Sequence, residues 1–127
     1  IAPGENIQQV QAALIKAVAD PVVVVSISPP NATVSPEVPL TAAILDPAIA
    51  LGKKMFPGVP MLPTMSTGAT DGRFLNSVGI PTYGIPGIFY DADYGHIHGL
   101  NERIRVKSVY EGRDYMVELV KIYANQK

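Results

Sequence analysis

Asn6-Ile7-Gln8-Gln9-Val10-Gln11-Ala12-Ala13-Leu14-Ile15-Lys16-Ala17-Val18-Ala19-Asp20-Pro21-Val22-Val23-Val24-Val25-Ser26-Ile27 is the stretch that decides the fold class. Asn6 can accept hydrogen bonds from the open N–H groups of a following helix. Gln9 stands three residues on, which completes a capping-box pattern. Ile7, Val10, Leu14 and Val18 recur at helical spacing along one face, so a helix is predicted to about Ala19. Asp20-Pro21 stops it. Val22 to Ile27 is β-branched and too short for a helix, as a strand would be. Ile1-Ala2-Pro3-Gly4 reads as a strand end entering a turn, so residues 1–28 read as strand end, helix, strand. A chain that opens directly on such a unit is expected to be cut from something longer.

Working outward, Ser28 to Pro39 changes character. It holds Pro29, Pro30, Pro36 and Pro39 and has no amphipathic period, which marks a linker and a domain boundary near residue 30. Asp46-Pro47 reads as a helix start, an N-cap acceptor followed by Pro at the first helical position, with an end by Phe56-Pro57-Gly58. Leu40 to Leu45 fits either a helical turn or an extended piece. Val59 to Met65 and Pro81 to Ile85 read as strands. Between them Thr70-Asp71 can cap a helix to about Val78, closed by Gly79. Residues 86–101 are loop-like, and Ile104-Arg105-Val106 alternates like a strand. Ser108 and Glu111 form a second capping box, opening a helix to about Ala124 with Val109, Met116, Leu119, Val120 and Tyr123 on its buried face. Strands alternating with helices predict an α/β layer structure.

The composition sets outer limits. The 127 residues carry one net negative charge, 47% apolar and 17% charged residues, enough for a core. The basic residues are scattered, with no run longer than Lys53-Lys54, which argues against a nucleic-acid partner. No apolar stretch approaches the roughly 20 residues of a membrane span. Zero cysteines exclude disulfides and thiolate chemistry.

Three groups of residues could carry chemistry. His96 and His98 stand two apart, on one face of an extended segment, and imidazole is a common zinc ligand, although a site needs three or four such groups. Asp91, Asp93 and Glu102 occupy positions one, three and twelve of a calcium-loop spacing. That loop needs Gly at position six, where His96 stands, and a side-chain oxygen at position five, where Gly95 stands; a solvated acidic loop is the better reading. Ser66-Thr67-Gly68-Ala69-Thr70-Asp71-Gly72-Arg73 is a small, Gly-rich turn before a helix, suited either to a tight structural turn or to binding an anion such as a carboxylate. It has neither the ending of a phosphate loop nor the Gly-x-Ser-x-Gly of a nucleophile elbow.

Read together, Met65-Ser66-Thr67-Gly68-Ala69-Thr70-Asp71-Gly72-Arg73, Gly79-Ile80-Pro81-Thr82-Tyr83-Gly84 and His98-Gly99-Leu100-Asn101-Glu102-Arg103-Ile104 resemble, in order and spacing, the C-terminal part of one zinc metallopeptidase family. It is the family of aminoacylase, glutamate carboxypeptidase, succinyl-diaminopimelate desuccinylase and carnosine dipeptidase (peptidase family M-twenty). Val109-Tyr110-Glu111-Gly112 with its helix is similar too, as are Pro3-Gly4-Glu5 and the unit to Ile27. The resemblance covers nearly the whole chain.

The resemblance implies a fold and a set of roles. Residues 1–29 would end a ferredoxin-like lid domain, which often dimerises. Residues 30–127 would form the C-terminal part of an α/β zinc-exopeptidase catalytic domain of phosphorylase/hydrolase-like type. The whole enzyme would use two zinc ions to hydrolyse a peptide or N-acyl amino-acid amide bond beside a free carboxylate. His98 is implied as a metal ligand and Glu102 as its structural companion. Gly68, Ala69 and Thr70 are implied to receive the substrate carboxylate, braced by Asp71 and Arg73. The family's other ligands, its Glu general base and its lid histidine have no counterpart in this sequence, so the expected partner is the missing N-terminal half, with a homodimer formed through the lid. The isolated 127 residues are expected to be inactive. A reading from another class is a non-catalytic binding or assembly module related to the same family.

Overall fold

The computed structural model describes residues 1–28, 34–66 and 68–126. Among them the regular elements are four α-helices and a short 3-10 turn: α1 Ile7–Val18, α2 Ala42–Met55, α3 Gly72–Ser77, the turn Tyr94–His96, and α4 Val106–Ala124. The segments expected as strands carry no ladder pairing among the described residues. A β-branched run specifies a surface suited to a pleat, but a sheet exists only when a second segment supplies the paired N–H and C=O groups. The expected boundary near residue 30 lies outside the described residues. The chain divides into two compact units, one of residues 1–39 and 64–83, the other of residues 40–63 and 84–127. The stretch 30–127 thus contributes to both.

In the first unit, α1 forms as its cap predicts. The Asn6 side chain accepts from the N–H groups of Gln8 and Gln9, both at 3.0 Å, and the helix closes at Ala19 in the left-handed region. Ile7 and Val10 are half-buried, while Leu14 and Val18 lie open. Polar clasps hold the remainder. Asn76 takes the Thr82 N–H at 2.8 Å and donates to Ser35 Oγ at 3.3 Å. The Tyr83 hydroxyl donates to the Pro39 carbonyl at 2.8 Å. Helix α3 is only six residues long and no cap bond comes from the Asp71 side chain.

The second unit holds the side-chain core. Ala48 and Leu51 of α2 pack with Tyr115 and Leu119 of α4, flanked by Met55, Phe56, Met61, Ile85 and Tyr123. The Tyr115 hydroxyl donates to the Ala48 carbonyl at 3.1 Å, and that of Tyr123 to the Ile44 carbonyl. Burial holds both phenols protonated above their ordinary value of 10.0, and at Tyr115 the neighbouring Tyr123 adds to the effect. Phe56 meets Phe89 edge to face at 4.8 Å. Gly87 adopts φ +61°, and a Cβ there would lie 2.5 Å from the Tyr115 ring, so only glycine lets the segment before Ile88 lie on α4. Gly112 answers from the helix side, where a Cβ would meet Ile88 at 2.6 Å.

Three local expectations change here. Helix α2 starts a turn before Asp46-Pro47, capped by the Thr41 backbone, with Pro47 inside it. The Tyr123 hydroxyl holds the Ile44 carbonyl in that extra turn, a contact from 79 residues away. Helix α4 starts at Val106, with Arg105 as its N-cap, so Val106 is helical and Ser108 is buried inside the helix instead of capping it. Its covered face is Ser108, Gly112, Tyr115 and Leu119, while Val109, Met116 and Val120 are exposed. The small Gly112 lets the neighbouring backbone approach, and that approach rotates the buried face away from the one hydropathy alone selects.

Candidate functional site

The loop carrying His98 is closed at its neck. Asp91 pairs with Arg105, and two residues inward Asp93 pairs with Arg103. The Arg103 N–H donates to the Gly95 carbonyl at 2.9 Å, and the Gly95 N–H donates to Asp93 Oδ1 at 2.9 Å. Gly95 is buried with φ +63°, and a Cβ would collide with the Arg103 carbonyl. The Asp93 carboxyl is held below its ordinary value of 3.8, chiefly by the Gly95 N–H; desolvation opposes that effect, and Arg103 adds to it. His96 Nε2 lies 3.5 Å from Asp93 Oδ2. Asp91 Oδ1 is shielded from solvent and faces Arg105 in an ion-pair contact without making a well-formed hydrogen bond.

Inside this neck the backbone is unusual. Tyr94, His96, His98 and Asn101 all have φ between 55 and 62°. Non-glycine residues enter that region rarely, at a cost of about 1 kcal/mol or more each, and clusters of them gather at functional loops. The result holds the His98 imidazole at an exposed position near the loop tip. The His98 N–H donates to Glu102 Oε2 at 3.4 Å, so the glutamate meets the histidine's backbone and not its ring. Among the described residues no group of three or more His, Cys, Asp or Glu could hold a metal ion. The exposed His98 imidazole is free to supply one zinc donor, and the two or three further protein donors that a zinc centre needs are not gathered around it among the described residues.

The other sequence-derived residues fall in the first unit. Gly68, Ala69 and Thr70 are exposed, and Thr67 lies outside the described residues. The Gly68 N–H donates to Ser66 Oγ at 3.3 Å. The Arg73 N–H donates to the Thr70 carbonyl at 3.2 Å, while the Arg73 guanidinium lies over the Phe74 ring, 4.5 Å from its centroid. Gly72 is buried beside Thr82.

Sequence reasoning took Asp91, Asp93 and Glu102 as one acidic set and missed the paired arginines. The signal was present: acids at 91 and 93 are mirrored by arginines at 103 and 105, the pattern of a loop clamped at its base. No family model matches the chain, nor does any curated protein or solved structure.

Proposed function

We propose that this chain is the C-terminal part of a zinc-dependent hydrolase related to the aminoacylases, glutamate carboxypeptidases and carnosine dipeptidases. It would act on a peptide or N-acyl amino-acid amide bond beside a free carboxylate. The observation that supports this most is the His98-Gly99-Leu100-Asn101-Glu102-Arg103 segment, whose motif coincides with the clamped, left-handed loop that exposes the His98 imidazole. In this reading His98 is a metal ligand and Glu102 fixes its backbone. Gly68, Ala69 and Thr70 receive the substrate carboxylate, next to Asp71 and Arg73. The remaining ligands of two zinc ions, and the general base, come from chain outside these 127 residues. When bound, the metal pair would activate water and polarise the scissile carbonyl. The lid part, residues 1–29, would contribute to a homodimer.

The test is made in the complete protein. His98→Ala is expected to lower bound zinc and to cut hydrolysis of N-acyl amino acids at least 100-fold, with His96→Ala much milder. Equal losses of zinc in the two variants, or a protein that hydrolyses no such amide, would sink the reading. Amidating the substrate carboxylate is expected to lower kcat/KM about tenfold or more, because charge-assisted hydrogen bonds contribute roughly 1.5–3 kcal/mol each. Similar kinetics for acid and amide would remove Gly68, Ala69 and Thr70 from the site.

A further inference from the structure

The loop from Asp93 to Arg103 keeps its shape without a core of its own. Leu100 and Tyr94 are 89% and 73% exposed, and Ile97 is exposed too. Apolar packing from within the loop therefore cannot hold Tyr94, His96, His98 and Asn101 at positive φ. Such backbone persists only where its surroundings over-determine it, so polar contacts must supply the constraint.

Those contacts close into a ring. Asp93 Oδ1 accepts from the Gly95 N–H at 2.9 Å, the Gly95 carbonyl accepts from the Arg103 N–H at 2.9 Å, and the Arg103 guanidinium returns to Asp93 Oδ2. Each of these residues touches the other two, so removing one loosens the contacts that remain. Asp91 and Arg105 repeat the pairing two residues outward. Toward the tip the support thins. The Gly99 N–H donates to the His96 carbonyl at 2.8 Å, but the His98 N–H reaches Glu102 Oε2 only at 3.4 Å, longer than a usual N–H···O bond. We infer that Asp93 and Arg103 are positioning residues for His98: their ring through Gly95 sets the loop before any metal arrives and presents the imidazole as a preformed donor.

This rests on the proposed reading of His98 as a metal ligand and deepens it. The glutamate of the motif is the obvious support for that ligand. The geometry gives the larger share to Asp93, five residues before His98, and to Arg103, five residues after it. Both act on the imidazole through the backbone between them. A donor already in place loses less freedom when it binds, so a rigid loop raises metal affinity without adding a ligand.

The test uses the complete protein, first stripped of metal with a chelator. Hydrogen exchange should then find the amides of residues 94–103 protected in the unaltered protein and exposed in Asp93→Ala, with the amides of α4 unchanged. Arg103→Lys keeps a cation and should retain most of that protection, whereas Arg103→Gln should lose much of it. On titration with zinc alone, Asp93→Ala should bind roughly tenfold or more weakly than the unaltered protein, and Arg103→Lys more tightly than Arg103→Gln. If Asp93→Ala fails to fold, the two Arg103 variants carry the same comparison. A loop unprotected until zinc is added would show that the metal sets it, and would overturn the inference. So would zinc affinity that stays unchanged while loop protection is lost, or protection lost equally from the loop and from α4. Zinc retained by His98→Ala would instead sink the reading of His98 as a ligand. That failure is told apart from the others because the loop's protection is measured without metal.

Discussion

The two compact units are held together by different means. In residues 40–63 and 84–127, Tyr115 and Leu119 are buried against Ala48 and Leu51, and two phenols reach carbonyls of α2. In residues 1–39 and 64–83, no large apolar side chain is buried among the described residues, and α1 buries none at all. That unit relies on Asn76, Ser35, Tyr83 and the Asn6 cap. A local signal therefore marks where a helix starts and ends, whereas a core needs apolar surface returned from distant sequence.

The comparison can be broken most forcefully at Tyr115. Tyr115→Ala removes a side chain that is 1% exposed together with its bond to Ala48, and is expected to destabilise the second unit by about 3–5 kcal/mol. Hydrogen exchange should show this in α4 amides and leave α1 amides unchanged. A uniform loss in both helices would mean that the units do not differ. Gly87→Ala comes next, expected to cost roughly 1–3 kcal/mol in thermal unfolding, since the new methyl strikes the Tyr115 ring at a positive φ. A neutral result would show that the segment over α4 is free to shift.

In the first unit the effects are smaller. Asn6→Ala removes the acceptor for two N–H groups and should cost α1 about 1 kcal/mol, read as lost protection of the Gln8 and Gln9 amides. Leu14→Ser, at a position 50% exposed, should stay within about 0.5 kcal/mol. If Leu14→Ser proved the costlier change, α1 would be covered in solution by something that packs on its apolar face.

The smallest effect is the response of the His98 loop to acid. The Asp93 carboxyl titrates below its ordinary value of 3.8 in the folded chain. Its contribution to holding the loop is complete above that ordinary value and is lost as pH falls through the lowered one. A carbon-13 titration of Asp93 should place its midpoint below that of an unfolded chain, and Arg103→Gln should raise it only partly, because the Gly95 N–H is the larger cause. An unshifted midpoint would remove the clamp.

Part of this was legible in advance. Asn6 marked the start of α1, the reach of α4 to Ala124 followed from its pattern, and Gly79 sits at φ +83° after α3, where a closing glycine was expected. The His98 segment was legible as a motif. Its clamp was overlooked: the mirrored acids and arginines stand in the sequence, but Asp93 and Arg103 are ten residues apart and become neighbours only when the loop turns back.

What the sequence determined alone depends on neighbours within about four positions: the Asn6 cap, the ends of α1 and α4, and the glycine turn at Gly79. An Asn side chain reaches the next two or three N–H groups whatever the rest of the chain does. Only the tertiary structure decided which face of α4 is covered, since that rests on Ala48, 67 residues from Tyr115, and on Ile88 pressing against Gly112. It also decided that α2 runs through Pro47, where a hydroxyl from the far end of the chain holds the added turn. Hydropathy fixes how much apolar surface a helix carries, but the shape of what packs against it selects the part that is buried.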